Sequence, residues 1–179
     1  MTAALAFFTW KLWRSTGDLV REASETAKRQ LRAYVFVSEP RIQGVSAGER
    51  PVAFVTLKNS GQTPAYSLKA SIRMDIATTF ADVSPNNIDP PNVGHLAPGG
   101  DFTIIVTADP ALTTVEHAAL DAGTRTLFVY GTANYVDAFG RSHYTRLRLM
   151  TGGAARLRTD KLVSCTEGNE TDDAVGVDL

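Results

Sequence analysis

Apolar and polar positions alternate most plainly between Ala53 and Ile76. Tyr66, Leu68, Ala70, Ile72, Met74 and Ile76 interleave with Ser67, Lys69, Ser71, Arg73 and Asp75, a period of two that predicts a strand with one dry and one wet face. Ala53, Val55 and Leu57 form an arm before it. Asn59-Ser60-Gly61-Gln62-Thr63-Pro64, between the arms, consists of residues that favour turns and stop pairing. Residues 34–38 (YVFVS) predict a strand that Glu39-Pro40 closes, and residues 101–108 predict another with Phe102, Ile104 and Val106 inward. Residues 126–136 and 142–150 predict a hairpin about 137–141, with Gly140 in the left-handed position. In its second arm Thr145, Leu147 and Leu149 face one way, and Tyr144, Arg146 and Arg148 the other.

Helical spacing is concentrated at the start. Leu12, Leu19, Ala23, Ala27 and Leu31 recur on one stripe with no proline across residues 15–33, and Glu25 faces Lys28 and Arg29. The stripe is narrow and alanine-rich, as in a solvated stalk, and it permits homo-oligomer pairing with a copy of itself. A short helical turn is predicted at 114–120, capped by Asp109 or Thr113 and stopped by Gly123. Residues 84–100 hold four prolines and three glycines and predict an irregular connection. The pattern therefore predicts a mainly β chain, an antiparallel immunoglobulin-like β-sandwich preceded by one long N-terminal helix, with an open β-barrel as the alternative. Its divisions are a membrane-segment stub over 1–14, a stalk over 15–33, a β domain over 34–163 and a disordered acidic tail over 164–179.

Composition changes this picture at two points. With 21% charged residues and a net charge of −1, the whole molecule has no general attraction for nucleic acid. The single cysteine, Cys165, excludes an intrachain disulfide framework. Charge is sorted instead, basic along the first helix and acidic in the last residues. Residues 3–10 are apolar but too few for the ~20 that a spanning helix needs. Phe7, Phe8, Trp10, Lys11, Trp13 and Arg14 are the aromatic and basic flank of a helix at lipid headgroups, which predicts the last turns of a transmembrane helix or an interfacial anchor. The competing reading docks Leu5, Phe7, Phe8 and Trp10 on the chain's own domain. Charge after the apolar run and no small-x-small site argue against a cleaved signal. The positive-inside rule then puts the β domain on the cytoplasmic side of an inner membrane, with a soluble cytoplasmic protein as the alternative.

Three blocks carry a resemblance: residues 26–35 (TAKRQLRAYV), residues 58–66 (KNSGQTPAY), and Tyr130-Gly131 followed by residues 135–141 (YVDAFGR). On these the chain resembles a group of uncharacterised bacterial proteins. The resemblance implies one or two transmembrane helices, a polar helical stalk and a small β domain, and it implies no activity.

Candidate chemistry is sparse. His95, His117 and His143 are far apart in sequence, and no zinc motif, nucleophile elbow, phosphate loop or dinucleotide fingerprint is present, so no cofactor and no enzyme are predicted. Asp137 and His143 can meet across the hairpin, as a turn-closing hydrogen bond or an acid/base pair. A binding face is better founded: Phe128, Tyr130, Asn134, Tyr144, Arg146 and Arg148 combine aromatics with arginines in the manner of protein interfaces. The competing reading buries Phe128 and Tyr130. The sequence thus predicts a membrane-associated interaction or scaffold module with a membrane or protein partner. The alternative is a soluble ligand binder or enzyme with its site in the 84–100 region beside His95.

Overall fold

The computed structural model describes residues 2–82 and 92–172, with side chains over 10–81 and 94–172. The chain is mainly β, with antiparallel sheets and one long N-terminal helix, α1 (Thr2–Leu31). Stub and stalk are one continuous helix of about 45 Å at 1.5 Å per residue. No helix among the described residues is long and apolar enough to cross a membrane: Lys11 and Arg14 interrupt the apolar run after too few residues.

At its C-terminal end α1 is tied directly into the sheet. The hydroxyl of Tyr34 donates to the Arg29 carbonyl, which the helix itself leaves without a partner, and the Arg32 guanidinium lies 4.5 Å from the Tyr34 ring centre. Strand β1 (Val35–Gln43) begins four residues beyond the helix and does not stop at Glu39-Pro40. A bulge absorbs that pair: Glu39 takes φ 45° and the register with β2 (Val52–Asn59) shifts between Ser38 and Arg41.

Beyond β2 come β3 (Ala65–Ala77), β4 (Asn92–Leu96), β5 (Asp101–Thr107), α2 (Thr114–Asp121), β6 (Thr126–Val136), β7 (Ser142–Gly152), β8 (Val163–Ser164) and β9 (Glu170–Thr171). One sheet runs β1-β2-β5 and the other β4-β3-β6-β7-β8, with β9 also on β7. The sheets are separate, as in a sandwich and not in an open barrel, an arrangement consistent with an immunoglobulin-like fold. Helix α2 has the expected Thr113 cap, closed into a capping box by Glu116. After β3 the chain makes a 3-10 turn, Phe80–Asp82.

The two arms that the sequence sets side by side lie in opposite sheets. Val55 and Leu57 of β2 face Leu68, Leu127, Val129, Leu147 and Leu149 across one core, and each such side chain contributes roughly 1.5–3 kcal/mol of burial. The alternation in β3 holds from Leu68 onward, with Leu68 and Ala70 buried, but Tyr66 is 40% exposed. Ser67 sits at φ 50° where the β3–β6 register shifts, and that bulge turns Tyr66 out of phase. In β5 two of the three expected residues face inward: Ile104 and Val106 pack on the core, and Phe102 is 41% exposed.

Asn59, at the turn between the sheets, is completely buried. Its Oδ1 accepts from the Tyr34 and Gly61 N–H groups, and its Nδ2 donates to the Thr63, Leu96 and Ala97 carbonyls. One side chain thus fastens the helix exit, its own turn and the β4–β5 turn. Gly61 follows because a Cβ there would stand 2.2 Å from the Arg32 carbonyl oxygen.

The tail is corrected over its described part. Residues 164–172 fold along β7 through β8 and β9, and Lys161 bridges to Arg41 of β1; residues 173–179 lie outside the described residues. Asn169 replaces a strand pair with its amide, accepting from the Arg148 N–H and donating to the Arg148 and Cys165 carbonyls. Such side chain-to-backbone bonds hold a sequence whose acidity and lack of aromatics alone predict disorder.

Candidate interaction face

The β6–β7 hairpin forms as predicted, Phe128 opposite Met150 and Asn134 opposite Tyr144. Strand alternation puts Leu127, Val129, Ala133 and Tyr135 into the core, so Phe128, Tyr130 and Asn134 share the outer face with Tyr144, Arg146 and Arg148. On the other side of β6, β3 adds Lys69 beside Asn134, Arg73 beside Tyr130 and Asp75 beside Phe128. All six predicted face residues therefore lie on one surface. They do not remain equally available.

Half of the face is covered. Phe128 is 6% exposed, packed under Phe80, Met150 and Cys165, which removes it from the predicted contact set. The reason is the 3-10 turn after β3, which lays the Phe80 ring edge-on against Phe128 and Tyr130 at 5.5 and 5.3 Å. The Arg148 guanidinium stacks 3.6 Å over Phe80. Tyr130 donates to Asp75 Oδ2 at 2.6 Å, and burial, reinforced by that carboxylate, pushes its hydroxyl pKa well up. Burial likewise raises the Cys165 thiol, with Arg148 opposing.

The other half is open. Asn134 and Arg146 are exposed and Tyr144 half-buried, and Asn134 and Tyr144 line a shallow hollow of about 330 Å³ that also takes in Ser67 and Lys69. Arg146 lies 5.0 Å from the Tyr144 ring centre and pairs with Glu170 of β9 at 3.0 Å. Glu170 was invisible as a site residue, because only the folding of the tail brings it there.

Beneath this half lies a buried polar cluster. His143 and Asp137 do meet, Nε2 to Oδ2 at 2.9 Å, as core residues and not as a surface turn closure. Asp137 Oδ1 also accepts from the Phe139 and Arg141 N–H groups. Burial pushes the Asp137 carboxyl up, but its bonds from His143 and from those N–H groups outweigh this and leave its pKa lowered. His143 Nδ1 meets Asp172 Oδ2 at 2.5 Å, and Arg32 Nη1 stands 3.8 Å from the same oxygen. Tyr135 donates to the Ala33 carbonyl, and Thr145 Oγ1 to that of Val35. Both imidazole nitrogens are thus engaged by carboxylates, an arrangement that braces helix exit, hairpin and tail against one another. Arg141, at the hairpin tip, also pairs with Glu25 of α1, whose carboxyl is held down at about 2 by Arg141 and Lys28.

The remaining candidates separate. Trp10 and Trp13 are 52% and 76% exposed, Lys11 and Arg14 are exposed, and the Arg14 guanidinium lies 5.5 Å from the Trp10 ring centre. The side chains of Phe7 and Phe8 lie outside the described residues. His95 is engaged by the Ser67 N–H and by the edge of the Tyr66 ring, and residues 84–91 of the alternative loop site lie outside the described residues. Among the described residues no group of three His, Cys, Asp or Glu could hold a metal ion.

Residues 1–150 match the family model described as a domain of unknown function, DUF8453. Comparisons with curated proteins and with solved structures each found no match.

Proposed function

The chain belongs to this DUF8453 family, and from that premise we propose that it is an interaction module, a β-sandwich carried on a helix that attaches to a membrane surface or a membrane protein. The observation that carries the reading is the uncovered helix. Trp10, Leu12, Trp13, Leu19 and Val20 are each more than half exposed, so α1 presents apolar surface that the β domain does not cover. Lys11 and Arg14 among the tryptophans suit an anionic headgroup layer, with the helix lying at the interface and the domain on the cytoplasmic side. The open half of the outer face, Asn134, Tyr144 and Arg146, is then the surface offered to a protein partner.

Co-sedimentation of the full chain with phosphatidylglycerol-containing vesicles tests the attachment. Wild type pellets with the vesicles, and Trp10→Ser with Trp13→Ser lowers the bound fraction about tenfold, since interfacial binding scales with buried apolar area. Wild type that stays in the supernatant refutes membrane-surface attachment.

A further inference from the structure

Beyond Asn169, whose amide bonds the Arg148 and Cys165 backbone, the described tail is held where β9 pairs with β7, where Glu170 meets Arg146, and where Asp172 reaches the His143 ring. The β9 pairing spans only two residues, and both members of the Glu170–Arg146 pair are about half exposed, so neither holds the segment firmly. The Asp172–His143 contact is different. The imidazole side chain is only 4% exposed, and a charge-assisted bond at such a site is the tie that decides docking.

The geometry of that tie fixes its protons. His143 Nε2 stands 2.9 Å from Asp137 Oδ2, and Nδ1 stands 2.5 Å from Asp172 Oδ2. A neutral imidazole has one N–H and one lone pair, and a carboxylate only accepts, so a neutral ring would turn its lone pair onto a carboxylate oxygen on one side or the other. The surrounding charge asks for the same proton. Asp137 from the hairpin turn and Asp172 from the tail stand against one guanidinium, Arg32 at the helix exit, two negative charges against one positive, and a protonated ring brings the cluster to neutrality. Tyr135 of β6, whose ring centre lies 5.4 Å from that of His143, is a neutral phenol bonded to the Ala33 carbonyl. Lys69 of β3 lines the same hollow as His143 but is exposed, and the Arg141 side chain pairs with Glu25.

When Asp172 withdraws into water, the ring keeps Asp137 alone, and a neutral imidazole satisfies that partner with its Nε2–H. Docking therefore takes up a proton that the released tail does not require. We propose that residues 170–172 form a proton-locked latch, docked on β7 while His143 carries both ring protons and released as the pH rises. Release frees Arg146 from Glu170 and unpairs β7 at Thr145 and Arg146, beside the open half of the outer face. The inference goes beyond the membrane reading and does not depend on it.

Nitrogen-15 spectra of the His143 ring and of the Glu170–Asp172 backbone amides, recorded on the full chain from about pH 5 to about pH 10, test the latch above the range in which the carboxylates themselves protonate. At the low end both ring nitrogens are expected to carry protons, with the amides at the shifts of a paired strand. As the pH rises the ring loses one proton and the amides become unpaired over the same interval, the docked-to-released ratio falling by up to about tenfold per pH unit, the limit for one proton. Asp172→Asn changes only the tail's side of the contact. Its amide can donate to the ring as well as accept from it, so the variant docks on a neutral ring too and the pH step disappears. Asp172→Ala removes the tie, and its residues 170–171 are expected to be unpaired at every pH. A docked tail over a ring with a single N–H overturns the proposal, as does a tail that stays paired after the ring has lost its proton, or a ring that keeps both protons to about pH 10. So do a wild-type tail unpaired throughout, a pH step that survives Asp172→Asn, and a tail that remains paired in Asp172→Ala.

Discussion

Replacing Asn59 tests the bond that ties the two sheets to the helix exit. Alanine there removes five hydrogen bonds, those from the Tyr34 and Gly61 N–H groups and those to the Thr63, Leu96 and Ala97 carbonyls. The amide has two hydrogens for its three carbonyl acceptors, so at a net value near 1 kcal/mol for each of the four hydrogens involved the ceiling is about 4 kcal/mol. Gly61 and Thr63 are only half-buried, so water recovers part of the loss, and about 3 kcal/mol is expected. Against a total of roughly 5–15 kcal/mol, that is a large fraction of the stability. Urea denaturation followed by far-ultraviolet circular dichroism, with an unchanged slope, reads the loss directly, and the thermal midpoint should fall by about 10 °C. Aspartate is the sharper probe. It keeps the acceptor on the N–H side but turns a carboxylate towards three carbonyl oxygens, so its folded pKa lies above the unfolded value near 3.9. A carboxyl raised on folding destabilises above its unfolded pKa, so the deficit of Asn59→Asp grows from about pH 4 upward, by up to about 1.4 kcal/mol per pH unit. At low pH the protonated oxygen donates in place of the amide. A deficit for Asn59→Ala below about 1 kcal/mol, or a pH-independent deficit for Asn59→Asp, would refute the clamp.

Three further perturbations bear on the site. The Asp137 carboxyl is depressed in the fold, so its contribution is complete above its ordinary pKa of 3.8 and is lost as pH falls through the lower folded value; Asp137→Asn should flatten this part of the acid limb in urea titrations run below pH 3.8. Arg141→Gln should release the Glu25 carboxyl from about 2 towards its ordinary 4.5, observed by carbon-13 titration, and a Glu25 shift that persists would remove Arg141 as its first cause. A Cβ at Gly131 would stand 2.0 Å from the Ser71 carbonyl oxygen, so Gly131→Ala should cost about 1–3 kcal/mol by chemical denaturation, and a neutral result would contradict the β3–β6 register.

The candidate face was legible as far as strand parity reaches. Period two puts Tyr144, Arg146 and Arg148 on one side of β7, and the hairpin turn fixes Phe128, Tyr130 and Asn134 beside them. Parity does not say what covers a face. Phe80 comes from a 3-10 turn after another strand and claims Phe128, while Glu170 and Asp172 come from a tail whose composition predicts no structure. The Asp137–His143 pair was visible as a short-range approach, but its burial depends on Arg32 and Asp172, more than a hundred residues apart in sequence.

The sequence by itself determined the periodic elements: the helix, the capped turn at Thr113, the alternating strands and the hairpin at Gly140. These follow from spacing and local backbone preference, which each segment carries alone. Only the tertiary structure decided which strands pair. Residues 53–57 and 66–76 carry the same dry-and-wet signal whether they form one hairpin or face each other across a core, and Asn59, bonded to three separate segments, puts them in opposite sheets. It also decided where alternation breaks, since the bulges at Glu39 and Ser67 arise from the register of neighbouring strands and reverse the facing of Tyr66. The reason is common to both: periodicity reports which side of a segment is dry, and only long-range contacts determine what dries it.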